Sequence, residues 1–154
     1  MTSARLIAGL LLATVPSACG SRSQGAGLVW LNPQVEDRCD ELESVRAAET
    51  PGGRLPKHFP LPQGAEIAGT APGDPPTVHV TAPGGFLALD SFFKSELQSR
   101  GWNDGSSGNG SDPGGRYGSV DVNGRGYRGE VWVIECGDDD PEILVEIAPG
   151  GRGP

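Results

Sequence analysis

The chain has 154 residues, a formal net charge of −8, 25 glycines and 14 prolines. So acidic a chain repels phosphate backbones and anionic lipid headgroups, which excludes nucleic acid as a partner and excludes membrane docking through the protein surface. Gly and Pro at this level imply long connections around a small core, roughly 90 residues in one folded domain.

The first element is an export signal. Arg5 is the only positive charge ahead of the apolar run Leu6–Val15, and Ser17 and Ala18 are small residues directly before Cys19. A run this short does not span a bilayer, which needs about 20 apolar residues, but it suits a signal peptide over residues 1–18. The residues around Cys19 resemble the lipobox of bacterial lipoproteins, with Pro16 standing where that family usually has Leu. The resemblance implies a diacylglycerol on the Cys19 thiol, which becomes the first residue of the mature chain. The membrane is then a partner through that lipid, and the chain sits on the outer face of the cytoplasmic membrane. The alternative is an ordinary cut near Ala18 and a secreted protein. Residues 19–34 begin with a small polar stretch, Gly20–Gly27, and read as a tether.

Three cysteines leave one over. Lipidation of Cys19 removes the oddness and leaves Cys39 and Cys136, in a compartment where disulfides persist. A Cys39–Cys136 bridge is expected, closing a loop of roughly 100 residues. Buried thiols or a redox pair are the rival readings, but no Cys-x-x-Cys and no four-ligand zinc pattern is present.

Val35–Ala48 reads as a short helix. Val35, Cys39, Leu42 and Val45 line one face, and the acidic residues lie mostly on the other side and in the first turns. Four prolines between Thr50 and Pro62 make a strap, so residues 35–62 form a helix-and-strap unit. The α+β domain spans 63–148. Glu66–Thr70 and Thr77–Thr81 are its first strands; Val78 and Val80 share a face, and His79 points the other way as a solvent or edge residue. Phe86–Arg100 is the best helix, with Phe86, Leu89, Phe93 and Leu97 in a stripe; Gly101 should end it, letting Trp102 pack back on Leu97. Residues 103–116 contain no apolar residue other than Pro113 and are expected to be a mobile loop. Strands follow at Tyr117–Val122, Glu130–Cys136 and Glu142–Ala148, with Asn123-Gly124 as a tight type I′ turn between the first two. Residues 149–154 are expected to be a disordered tail. The fold class is α+β: an antiparallel sheet of about five strands, one long amphipathic helix on one face, and a short N-terminal helix.

Two segments, Phe59-Pro60-Leu61-Pro62-Gln63-Gly64-Ala65 and Leu97-Gln98-Ser99-Arg100-Gly101-Trp102, followed by paired strands, resemble a pattern in small uncharacterised bacterial lipoproteins, of actinobacterial type by composition. The resemblance covers roughly 90 residues and implies a fold, not catalytic residues.

Candidate chemistry is sparse. Gly124–Gly129 matches G-x-G-x-x-G but is followed by a strand, not the helix that a dinucleotide site needs. Asp138–Asp140 lacks the spacing of a calcium loop and reads as a solvated acidic turn, to which Asp104 and Asp112 could add oxygens. His58 and His79 could share a metal only if the strap folds over the strand. No G-x-S-x-G elbow is present. Trp102, Trp132, Tyr117 and Tyr127 could wall a groove, although a helix cap explains Trp102 and a core position explains Trp132 better. The expectation is a non-enzymatic envelope lipoprotein without catalytic residues, metal site or cofactor, presenting a surface to another envelope protein or a cell-wall component. The alternative is a small-molecule or calcium-binding lipoprotein that uses the Gly-rich segment 103–116 as a lid.

Overall fold

The structure, a computed structural model, describes residues 35–103 and 105–150. Cys19, the signal segment, the tether, Asp104 and residues 151–154 lie outside the described residues.

The elements in chain order are α1 (Val35–Ala48), β1 (Glu66–Ala71), β2 (Thr77–Thr81), α2 (Phe86–Ser99), β3 (Ser107–Asp112), β4 (Gly115–Val122), β5 (Tyr127–Cys136) and β6 (Glu142–Pro149). The six strands form one sheet in the order β1-β2-β6-β5-β4-β3, antiparallel throughout. The strand count is six rather than five because residues 107–112, expected to be loop, pair with β4. β6 extends to Pro149, which lies opposite Tyr127, and Gly150 donates its N–H to Gly126 O, so the ordered chain runs two residues past the expected tail boundary.

Both faces of the sheet are covered. On one face α2 buries Phe86, Leu89, Phe93 and Leu97 against Val78, Val80, Val120, Val131, Val133, Ile143 and Val145. On the other, α1 buries Val35, Leu42 and Val45 with Trp132, Ile134, Leu144 and Tyr117. The expectation of a single covering helix is therefore corrected: α1 matches α2 at 14 residues and covers the opposite face. The central strands require this, because Val131–Ile134 and Ile143–Val145 are apolar at consecutive positions, as strands buried on both sides are.

α1 carries Glu36 and Asp37 in its first turn and Arg46 in its last, the signs that the helix dipole favours. α2 stops as its sequence predicts. Gly101 takes φ 72° and donates to Gln98 O, and Trp102 donates to Leu97 O at 2.8 Å, the two bonds of a Schellman cap. The strap packs Leu55, Phe59 and Leu61 onto the α2 side of the core. The β4–β5 connection is not a two-residue turn. Positive φ falls at Arg125 and Gly126, and Tyr127 N–H bonds to Gly124 O. Gly124 instead lies against the α2 cap, where a Cβ would come within 2.1 Å of Gly101 O.

Cys39 on α1 and Cys136 at the end of β5 have their sulfurs at bonding distance, 2.16 Å, with Cα atoms 5.9 Å apart.

Candidate functional site

The most concentrated polar chemistry sits where the C-terminal end of α1 meets β2 and β6. The register of β2 against β6 puts His79 opposite Leu144 and Thr81 opposite Glu142, all on the α1 face. α1 ends with Glu49 N–H bonded to Val45 O, which hangs the Glu49 side chain over that face. His79 Nδ1 lies 2.7 Å from Glu49 Oε2, and its Nε2 bonds to Glu142 Oε2. Arg46 donates to the same Glu142 carboxylate from Nε at 3.1 Å and from Nη2.

His79 is 3% exposed, which corrects the expectation of a solvent or edge residue. It points away from Val78 and Val80, as the alternation predicts, and the face it points to is roofed by α1. Two carboxylates accept from its two ring nitrogens, so the arrangement calls for an N–H on each, the imidazolium. The Glu142 hydrogen bond raises the His79 pKa against the opposing effect of burial, with the Glu49 bond adding to it. Burial alone would raise Glu142, but the hydrogen bonds from His79 and Arg46 outweigh it and hold its carboxyl at about 2. The Glu142 bond likewise raises the Arg46 guanidinium.

This cluster ties the end of α1 to β2 and β6. A general base needs a free lone pair within reach of a substrate proton, and both His79 nitrogens are occupied. Beside it lies a shallow hollow of about 470 Å³, lined by Gly64, Glu66, Thr81–Gly84 and Asp140–Glu142. Among the described residues, no group of three or more His, Cys, Asp or Glu side chains is placed to hold a metal ion.

A second polar feature crosses the same face. Asp121, Glu130 and Glu146 stand in register on β4, β5 and β6. Burial, and then the charge of Asp121, push the Glu130 carboxyl up, while Arg38 and a bond from Ser119 pull it down.

The remaining sequence candidates separate. His58 is exposed in the strap at φ 67° and takes no part in the His79 cluster. Asp138–Asp140 forms an exposed turn, with Asp139 N–H bonded to Cys136 O. Asp112 caps its own hairpin by accepting from Gly114 N–H at 2.7 Å. The four aromatics do not wall one groove. Trp102 pairs with Tyr127 at 5.6 Å in the α2-side core, and Tyr117 pairs with Trp132 at 5.6 Å under α1. Of the G-x-G-x-x-G glycines, Gly124 and Gly129 answer packing, since a Cβ on Gly129 would lie 1.8 Å from Glu146 O, and Gly126 answers its positive φ of 81°. Segment 103–116 is not a free lid: Asn103 is buried and donates from Nδ2 to Ser106 O at 2.8 Å, and β3 follows.

Sequence reasoning missed the partnership of Glu49 and Glu142 with His79. The available signal was the apolar character of Trp132, Ile134 and Leu144, which alternate with the residues facing α2 and so demand a cover on the His79 side.

No protein-family model, curated protein or solved structure matches this chain. Among the described residues, no helix is long and apolar enough to cross a membrane.

Proposed function

We propose that the chain is an exported lipoprotein, anchored to the outer face of the cytoplasmic membrane through a lipid on Cys19, whose α+β domain works as a non-enzymatic interaction module in the envelope. The observation that carries this reading is the pairing of Cys39 with Cys136. A bridge between the two leaves Cys19 as the one thiol for the lipid, and disulfides belong to an oxidising compartment. The use of the polar groups supports the non-enzymatic part: His79, Glu49, Glu142 and Arg46 satisfy one another across the α1–sheet junction.

The test is the mass of the intact protein from membranes, taken without reduction and after thiol alkylation, beside a Cys19→Ser variant. The expected wild-type mass carries a diacylglycerol and no alkyl group, and Cys19→Ser is expected in the soluble fraction. A wild-type chain that is soluble, starts after Ala18 without lipid and accepts alkylation would overturn the anchor. An intact lipid with two alkylated thiols would overturn the disulfide and leave the anchor standing.

A further inference from the structure

A strand at the edge of a sheet offers unpaired N–H and C=O groups, and natural proteins guard them. The guard is visible at the β1 edge. Thr50 bridges Thr70, Thr70 Oγ1 donates to Gly52 O at 2.9 Å, and β1 is bulged between Ile67 and Gly69. At the other edge, β3 has no strand beyond it among the described residues. Its register with β4 runs unbroken from Ser107 opposite Val120 to Asp112 opposite Gly115. The sequence Ser107–Asp112 contains no Lys, Arg or Pro, the residues that usually blunt an edge.

One hydrogen bond shows which backbone groups point outward. Asp121 N–H donates to Ser106 O, and this pair continues the β3–β4 register. An antiparallel ladder alternates hydrogen-bonded and non-hydrogen-bonded pairs. Ser106, Gly108 and Gly110 therefore turn their backbone groups toward β4, while Ser107, Asn109 and Ser111 turn theirs to the open edge. These three also carry their side chains on the α2 face, since Tyr117, opposite Gly110, belongs to the α1 face. All three are exposed.

Residues 107–111 read Ser, Gly, Asn, Gly, Ser, the same in both directions about Asn109. Against an antiparallel copy of the same strand, that order sets Ser opposite Ser, Gly opposite Gly and Asn opposite Asn. We propose that β3 pairs with β3 of a second copy about a two-fold axis through Asn109, so that two six-stranded sheets become one of twelve strands. Asn109 then lies opposite Asn109, and Ser107 opposite Ser111 of the second copy. Each outward residue exchanges both backbone bonds, about six across the interface. The two Asn109 amides can bond each other on the axis, since each is both donor and acceptor. On the other face the opposed residues are Gly108 and Gly110, which bring no side chains of their own to the junction; α1 approaches β3 on that face. The contact is isologous and closes at two copies. α2 packs over β4 and β5, so both copies of the helix stand back from the new pair.

Cysteine cross-linking in cells expressing the full-length chain tests the register. Two Asn109 Cα atoms would stand about 5.5 Å apart, inside the disulfide range of about 4.4–6.8 Å. Two copies of Ser107, or of Ser111, would stand about 14 Å apart, four residues along the strand. After a thiol oxidant and a non-reducing gel, N109C is expected to give about ten times the dimer of S107C or S111C alone, and co-expressed S107C and S111C should restore it. Equal cross-linking at all three positions, or none at N109C, would overturn the pairing. Capture of a different protein by N109C would overturn it in favour of a foreign peptide at the edge. Sedimentation equilibrium gives a second measurement that needs no added thiol. The wild-type chain is expected to associate with rising concentration. Asn109→Lys, which sets like charges face to face, should weaken that association up to about fivefold. Two chains that sediment alike would overturn the proposal.

Discussion

Phe59 stands edge-on to Trp102, ring centroids 5.2 Å apart and planes at 78°. The contact joins the proline strap to the C-cap of α2. The cap places Trp102, and Phe59 closes over it. Gly101 can be tested alone, because a Cβ there meets nothing within 4 Å and only its φ of 72° resists a side chain. Gly101→Ala should cost about 1 kcal/mol by urea denaturation. Phe59→Ala, which empties one side of the aromatic pair, should cost about 3 kcal/mol or more. Equal losses would mean that the strap adds nothing beyond the backbone cap.

The His79 staple makes stability depend on pH in two windows. The folded pKa of His79 is raised, so its contribution is complete below the ordinary histidine value near 6.5 and is lost as pH rises through the folded value. Glu142 is depressed to about 2, so its contribution is complete above its ordinary 4.5 and is lost as pH falls toward 2. Both act fully between about pH 4.5 and 6.5, where the melting temperature should carry the largest contribution from the staple. His79→Gln should abolish the alkaline decline and lower stability at pH 6 by roughly 3 kcal/mol, since it leaves Glu49 without its cation and Glu142 with Arg46 alone. An alkaline decline of unchanged size in the variant would assign it to another group.

Glu130 has the opposite sign. Its carboxyl is raised by burial and by Asp121, so ionising it lowers stability as pH climbs above 4.5. Glu130→Gln should stabilise the protein at pH 7 by about 0.5–1 kcal/mol, because like charges opposite one another on neighbouring strands oppose pairing. The gain should vanish near pH 3, where the wild-type carboxyl is protonated. A variant less stable at pH 7 would show that Arg38 and Ser119 hold the charge more strongly than its neighbours oppose it.

The Cys39–Cys136 link closes a separation of 97 residues. By loop-closure entropy, Cys136→Ser should cost about 4–5 kcal/mol. The check is the difference in unfolding free energy between oxidised wild type and the variant, both measured without reductant. A difference below about 1 kcal/mol would mean that the bond is absent or that native strain cancels the entropy.

Much of this architecture was legible in the chain. The stripe Phe86, Leu89, Phe93 and Leu97 with Gly101-Trp102 behind it gave α2 and its cap, and Cys39 on the apolar face of α1 lies with its sulfur at bonding distance from that of Cys136. What escaped has physical reasons. Residues 107–112 hold no apolar residue, so they show no period-two pattern. They become a strand because the backbone groups on the β3 side of β4 require partners. The sequence around His79 points to a solvent or edge residue because three residues, Val78 to Val80, reveal alternation but not what covers the far side. That cover is α1, about 30 residues earlier in the chain, and local pattern does not carry contacts over such distance. The Asn123-Gly124 turn failed because Gly124 is committed to close approach against the α2 cap, which overrides its turn preference.

With the two sulfurs joined, α1 and β5 would close one covalent ring of everything between Cys39 and Cys136. The connection at Pro72–Pro76 is largely exposed and lies inside that ring. A protease that cuts there severs the backbone without releasing a fragment, because the two pieces remain joined through sulfur. A nicked molecule would run as an intact chain on a non-reducing gel and fall apart only when reductant is added. The sheet can therefore keep its neighbours in place after a cleavage that would dismantle an unbridged domain.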